Sequence, residues 1–200
     1  VIFAMQRSLI QDTIHGSVGF ALVSTAAFSI WAFAAGVFRH LGGELCMYAA
    51  IAFVFLGLSG LLLGPLAGGM GRFYRAFLPA FLAYSVLWCV AWFGLNGRAG
   101  EWTGAWIGCL AFTWISMKVL GSAKGWVIAA GVLFLFHSAG YFVGDWAMYQ
   151  YCKPKALTFA KNSSDWQQWM ILGKLSWGFL YGLGFGAGIG WVFHQSRIEA

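Results

Sequence analysis

His137, Tyr141 and Asp145 are the residues whose types and spacing point most directly to chemistry. They lie in the stretch Trp126–Tyr149, WVIAAGVLFLFHSAGYFVGDWAMY, 24 residues that are almost wholly apolar and long enough to cross a bilayer. His137 stands near the middle and Asp145 towards one end. An ionisable side chain in hydrocarbon is costly, and such residues mark ion and proton pathways. The spacing of four, continued by Tyr149, makes successive members neighbours on a helix. His137 and Asp145 are about 12 Å apart along such a helix and offset by about 80°. They share a broad face without touching, and Tyr141 or a chain of water would have to join them. A plainer reading gives His137 a backbone carbonyl or a serine on a neighbouring helix. Asp145 then sits at the interface beside Arg98 or Lys153.

Other chemistries find little support. A metal needs several converging ligands, and the four histidines, His15, His40, His137 and His194, are scattered. His137 has no second histidine at its depth, which argues against a haem held by two histidines. Neither CxxC nor HExxH occurs, and Cys46, Cys89, Cys109 and Cys152 are dispersed. Cys46 and Cys152 fall near segment ends on one expected face, where a bridge between them is an option. The glycine-rich GPLAGGMGRFYR lacks the order of a phosphate-binding loop and follows no strand. No catalytic residue and no metal ligand is assigned, a non-enzymatic role is expected, and the cofactor question stays open.

The elements that must hold these residues are membrane helices. The chain is 60% apolar and only 9% charged, where a soluble domain carries roughly 25% charged residues. Its charges fall in short clusters between long apolar runs. Glycine is frequent in membrane helices and tryptophan gathers at membrane interfaces, and the chain has 28 and 12 of them. The net charge of +6 is too sparse for a nucleic-acid groove and fits cationic loops beside lipid headgroups.

The patterning predicts an all-α, polytopic integral membrane protein, a single domain of six transmembrane helices in a compact bundle. The spans fall at about 16–38, 45–63, 76–95, 102–120, 126–149 and 170–193. Residues 1–15 form an interfacial helix or a lead-in to the first span. Pro79 falls in the first turn of the third span, where proline is tolerated. Tyr84, Trp88 and Trp92 make an aromatic stripe four apart, best explained by packing. The longest polar connection is 150–168, in which Ser164 and Asp165 could cap the last helix. Lys174 is expected to reach the headgroups.

Six spans put both termini on one side. The short loops of that side carry Arg72, Arg75, Lys118 and Lys124, against Arg39 and Arg98 opposite. Lysine and arginine favour the cytoplasmic side, so both termini are expected inside, in a bacterial inner membrane. The long basic connection before the last span argues the other way.

Gly178, Gly182, Gly186 and Gly190, spaced by four in the last span, form a face on which another helix can pack closely. With small residues throughout the first span and few polar groups elsewhere, this surface makes a non-catalytic subunit of a larger membrane complex the leading expectation. Its partners would be lipids and other membrane subunits or a second copy of the chain. The alternative is a small channel or transporter for ions, protons or a small solute, using His137 and Asp145.

Overall fold

A computed structural model describes residues 7–198, and within them every regular element is helical. Ser8 opens α1 (Leu9–Phe33) with a capping box. Its side chain accepts from the Gln11 amide, and Gln11 accepts in turn from the Ser8 amide. This reciprocal pairing satisfies two amides that the helix start leaves free. A single turn, α2 (Ala35–Phe38), leads to α3 (Gly43–Leu63), which runs on through a 3₁₀ turn over Gly64–Ala67. The chain then forms α4 (Met70–Leu95) and α5 (Gly97–Leu120). Asn96 and Gly97, both at positive φ, make the tight reversal between these two helices. Next comes α6 (Trp126–Trp146), extended by a widened π turn over Ala147–Cys152 and the short α7 (Lys153–Ala156). Pro154 has no amide to offer the Gln150 carbonyl and its ring crowds that group, so the helix widens just before it. The last element is α8 (Ser164–Ile198).

Among the described residues, five helical stretches are long and apolar enough to cross a membrane: Leu9–Phe33, Gly43–Ala67, Met70–Leu95, Gly97–Leu120 and Trp126–Ala156. Their outward faces are apolar, with Val18, Leu22, Phe53, Val90, Ile128 and Leu135 all exposed. That pattern is costly in water and suits lipid. The chain is therefore an all-α, membrane-embedded, multi-pass bundle.

α8 lies at its centre. On one face, a Cβ at Gly178 would meet Phe28, and one at Gly182 would meet the Ala21 backbone. At Gly186 and Gly190 it would strike the carbonyl oxygens of Gly16 and Asp12. The four-glycine face is thus covered by α1 of the same chain. On the opposite face Gly184 faces Gly140 and Gly188 faces Leu133, so α6 packs as closely. Phe20, Phe73, Phe77, Phe112, Phe185 and Phe193, all fully buried, fill the core.

Several expectations need correction. Of the two alternatives for the N-terminal stretch, the lead-in stands for residues 9–15, which are the first turns of α1 and not a separate interfacial helix, while residues 1–6 lie outside the described part. Pro79 is inside α4, because that helix begins at Met70. The non-helical connection is shorter than 150–168, since helical structure continues from α6 to Ala156 and the last helix starts at Ser164. Ser163, not Ser164 or Asp165, accepts on its side-chain oxygen from the amide of Trp166. Lys174 is engaged within the bundle, near the end of α1. Its Nζ donates to the Trp31 carbonyl at 3.1 Å and lies over the Trp31 ring. Cys46 and Cys152 are both free thiols, one exposed and the other buried. Cys152 packs against Gly173 of α8.

Candidate functional site

His137 is fully buried. Its Nε2 lies 2.6 Å from the Tyr84 hydroxyl, a short bond between α6 and α4. The rings around it come from three helices. Tyr141 lies parallel to the imidazole with centroids 6.0 Å apart. Tyr181 and Phe185 of α8 meet it edge-on at 5.6 and 5.3 Å. The other ring nitrogen, Nδ1, has no hydrogen-bond partner among the described residues. A buried polar atom left in that state is costly, and each such atom calls for an explanation.

Tyr84 is held for this contact by glycine. The α4–α5 hairpin closes on Gly100, Gly104 and Gly108, which receive Trp92, Trp88 and Tyr84 in turn. Ring stacking between Tyr84 and Phe185 at 4.9 Å steadies the phenol from α8. The stripe Tyr84, Trp88, Trp92 does pack, as expected. Its first member also supplies the histidine's partner, which sequence spacing within one helix had no way to show.

Towards the end opposite the termini the polar groups continue. The Tyr141 hydroxyl is 3.5 Å from Glu101 Oε1, the long end of a hydrogen bond. Arg98 donates to Glu101 at 3.0 Å and to Asp145 at 2.8 Å. Its guanidinium is largely exposed, whereas both carboxylates are mostly covered. Arg98 also lies over the Phe142 ring. The structure thus brings His137 and Tyr141 together, and it puts Asp145 on Arg98, one of the two partners expected for it. Glu101, which falls between the expected spans 76–95 and 102–120, is the added member.

A second polar cluster, missed by sequence reasoning, ties the termini. Asp12 is fully buried in the first turn of α1. Its Oδ2 accepts from His194 Nδ1 at 2.7 Å and from Arg197 Nη2. The signal was present in part: all three belong to the terminal side of a six-span layout.

What the two clusters can do differs. The Asp12 carboxylate is neutralised by its neighbours and joins α1 to α8. The His137 assembly is an imidazole bonded at one nitrogen to the Tyr84 hydroxyl, with no partner for the other among the described residues; Tyr141, whose ring lies against it, turns its own hydroxyl towards Glu101. An imidazole takes up a proton at one nitrogen and releases one from the other. Among the described residues, no group of three or more His, Cys, Asp or Glu is placed to hold a metal ion. An open groove of about 490 Å³ runs along the outside of α5 and α6 past Trp102, Phe134, Ser138, Phe142 and Trp146. It carries no charged group. Comparison with protein-family models, with curated proteins and with solved structures finds no match to this chain.

Proposed function

We propose that this chain is a small membrane transporter or channel whose cargo is the proton, with His137 as the central carrier. The observation that carries the reading is the 2.6 Å bond between the Tyr84 hydroxyl and His137 in a fully buried setting, with the second ring nitrogen free. Burying such a group is expensive, and function is the usual reason to keep it in a membrane helix. The aromatic packing around it leaves no lumen for a hydrated ion. A proton needs none, because it moves by exchange between hydrogen-bonded groups. Glu101 and Asp145 serve as the collecting carboxylates, Arg98 holds them in place, and Tyr141 links them to the imidazole. In this reading Ser164–Ile198 is a sixth span and both termini are cytoplasmic.

The non-catalytic subunit reading is the weaker one. It drew on the glycine face at 178, 182, 186 and 190, and that face is occupied by α1 of the same chain.

The test is reconstitution into lipid vesicles, with uptake followed for protons and for a panel of ions in wild type, His137→Ala and Asp145→Asn. Proton uptake that falls in both variants is the expected result. Unchanged transport in both ends the transport reading.

A further inference from the structure

The proposed path leads from Arg98, Glu101 and Asp145 past Tyr141 inward to His137 and Tyr84, about halfway through the bundle. A proton path needs a second half. Two routes lead from there to the terminal side.

The first follows α8 to the Asp12 cluster. From Tyr181 to His194 is about 20 Å at the rise of a helix. The buried residues on that way, Phe185, Ile189, Val192 and Phe193, are all apolar. The buried side chains of α8 itself offer a proton nothing to bind on this route, and the Ser17 hydroxyl beside it is committed to the Leu183 carbonyl at 2.9 Å.

The second follows α5. Tyr84 sits against Gly108, and the next residue, Cys109, begins a row. Cys109, Thr113 and Ser116 are spaced by four and three, which places them along one side of the helix. All three are fully buried. The two hydroxyls behave unlike most others in the chain. Thr13, Thr25, Ser59, Ser85 and Ser196 each donate to the carbonyl four residues earlier, at 2.5 to 2.8 Å. That is the ordinary way for a helix to satisfy such a group. Thr113 Oγ1 and Ser116 Oγ make no such bond and have no other partner among the described residues. One turn further on, the Leu120 carbonyl accepts from Arg72 Nη2 at 3.1 Å, so the row ends at a cationic group near the terminal side.

Resting on the reading of His137 as a proton carrier, we propose that Cys109, Thr113 and Ser116 line a row of water-binding positions that completes the path from Tyr84 to the Arg72 end of α5. Neighbours in such a row have Cβ atoms about 5–6 Å apart. That is too far for a direct hydrogen bond and suits one bridging water. Buried waters characteristically occupy sites where polar groups lack protein partners. Each transfer conserves charge in the ordinary way: a water or hydroxyl accepts a proton on oxygen and passes its own to the next acceptor. No bond other than O–H or N–H is made or broken.

The experiment measures initial proton influx into vesicles holding the intact protein, under an imposed potassium diffusion potential, with a pH-sensitive dye inside. Thr113→Val keeps the shape and removes the hydroxyl, and Ser116→Ala does the same at the next position. Each should slow influx about tenfold, the rate equivalent of one hydrogen bond. Thr113→Ser restores the hydroxyl and should conduct like wild type. Ser24→Ala is the control. Its hydroxyl is also buried and has no partner among the described residues but faces Gly182 on the α1–α8 contact, so its loss should leave influx unchanged. Wild-type influx in both Thr113→Val and Ser116→Ala, with His137→Ala silent, overturns the α5 row while leaving the His137 reading standing. Equal slowing in Ser24→Ala overturns it too, as a general packing effect. Wild-type influx in His137→Ala removes the underlying reading itself. Should Thr113→Val fail to fold in detergent, Ser116→Ala decides by the same criteria.

Discussion

At the residue scale the proposed path turns on one hydrogen bond, between Tyr84 and His137. Replacing Tyr84 by Phe removes a single oxygen and leaves His137 with both ring nitrogens unpartnered. A buried polar group stranded in this way costs about 1–3 kcal/mol. Tyr84→Phe should therefore lower the unfolding midpoint in detergent and slow proton uptake together. A variant as stable as wild type would mean that the imidazole finds another partner. Asp145→Asn should behave differently. Arg98 is 62% exposed, and exposed ion pairs contribute no more than about 1 kcal/mol. Asparagine there should slow uptake with little change in the midpoint, and a large loss of stability would assign Asp145 to structure instead. His137 and Asp145 were legible in the sequence because their cost in hydrocarbon is a property of the residue alone. Tyr84 as a partner was not, since periodicity within α4 says nothing about which ring of α6 it meets. The same holds for Glu101, which a turn-like sequence placed in a loop and the α4–α5 hairpin placed over Tyr141.

At the element scale α8 decides whether the bundle forms. Its two glycine faces let α1 and α6 approach on opposite sides, with the backbones of Gly16 and Asp12 lying over Gly186 and Gly190. Gly186→Leu would force the α1 backbone away. Overpacking of a tight contact typically costs 1–3 kcal/mol or roughly that order, and here the obstacle is a backbone carbonyl that has no rotamer to yield. The expected outcome is loss of the folded monomer, seen as aggregation in size-exclusion chromatography. A monodisperse, folded Gly186→Leu monomer would show that the α1–α8 contact is less tight than it stands here. Asp12→Asn tests the tie at the end of the same pair. It leaves the Arg197 and His194 side chains facing a neutral amide, and breaking a buried ion pair costs about 3–5 kcal/mol. The midpoint should drop more than for any single surface charge, and an unchanged midpoint would contradict a structural role for the cluster. The glycine spacing was readable as a close-packing face. That its partner was α1 was not readable, because such a face accepts a helix from the same chain or from another equally well. Asp12 escaped notice for a related reason: a carboxylate in a first helical turn is ordinary, and only the antiparallel register of α1 and α8 delivers His194 and Arg197 to it.

At the scale of the whole molecule, hydropathy alone predicted a multi-pass helical bundle. Apolar runs of this length have few other stable fates, and among the described residues five stretches are long and apolar enough to cross a membrane. Helix boundaries were harder, as at Pro79 and at the continuation of the fifth span to Ala156, because an apolar run does not announce where a helix begins in the headgroup region. The proposed proton path enters beside Arg98, passes His137 and leaves along α5, among packed aromatic rings. That path is the central claim, and the rate of proton entry into vesicles tests it most directly. Wild-type protein, His137→Ala and protein-free vesicles are compared at equal lipid and equal imposed potential. The account predicts influx well above the protein-free rate for wild type and at the protein-free rate for His137→Ala, with both proteins equally folded. Wild-type influx no faster than that of protein-free vesicles, or undiminished influx in His137→Ala, would contradict it.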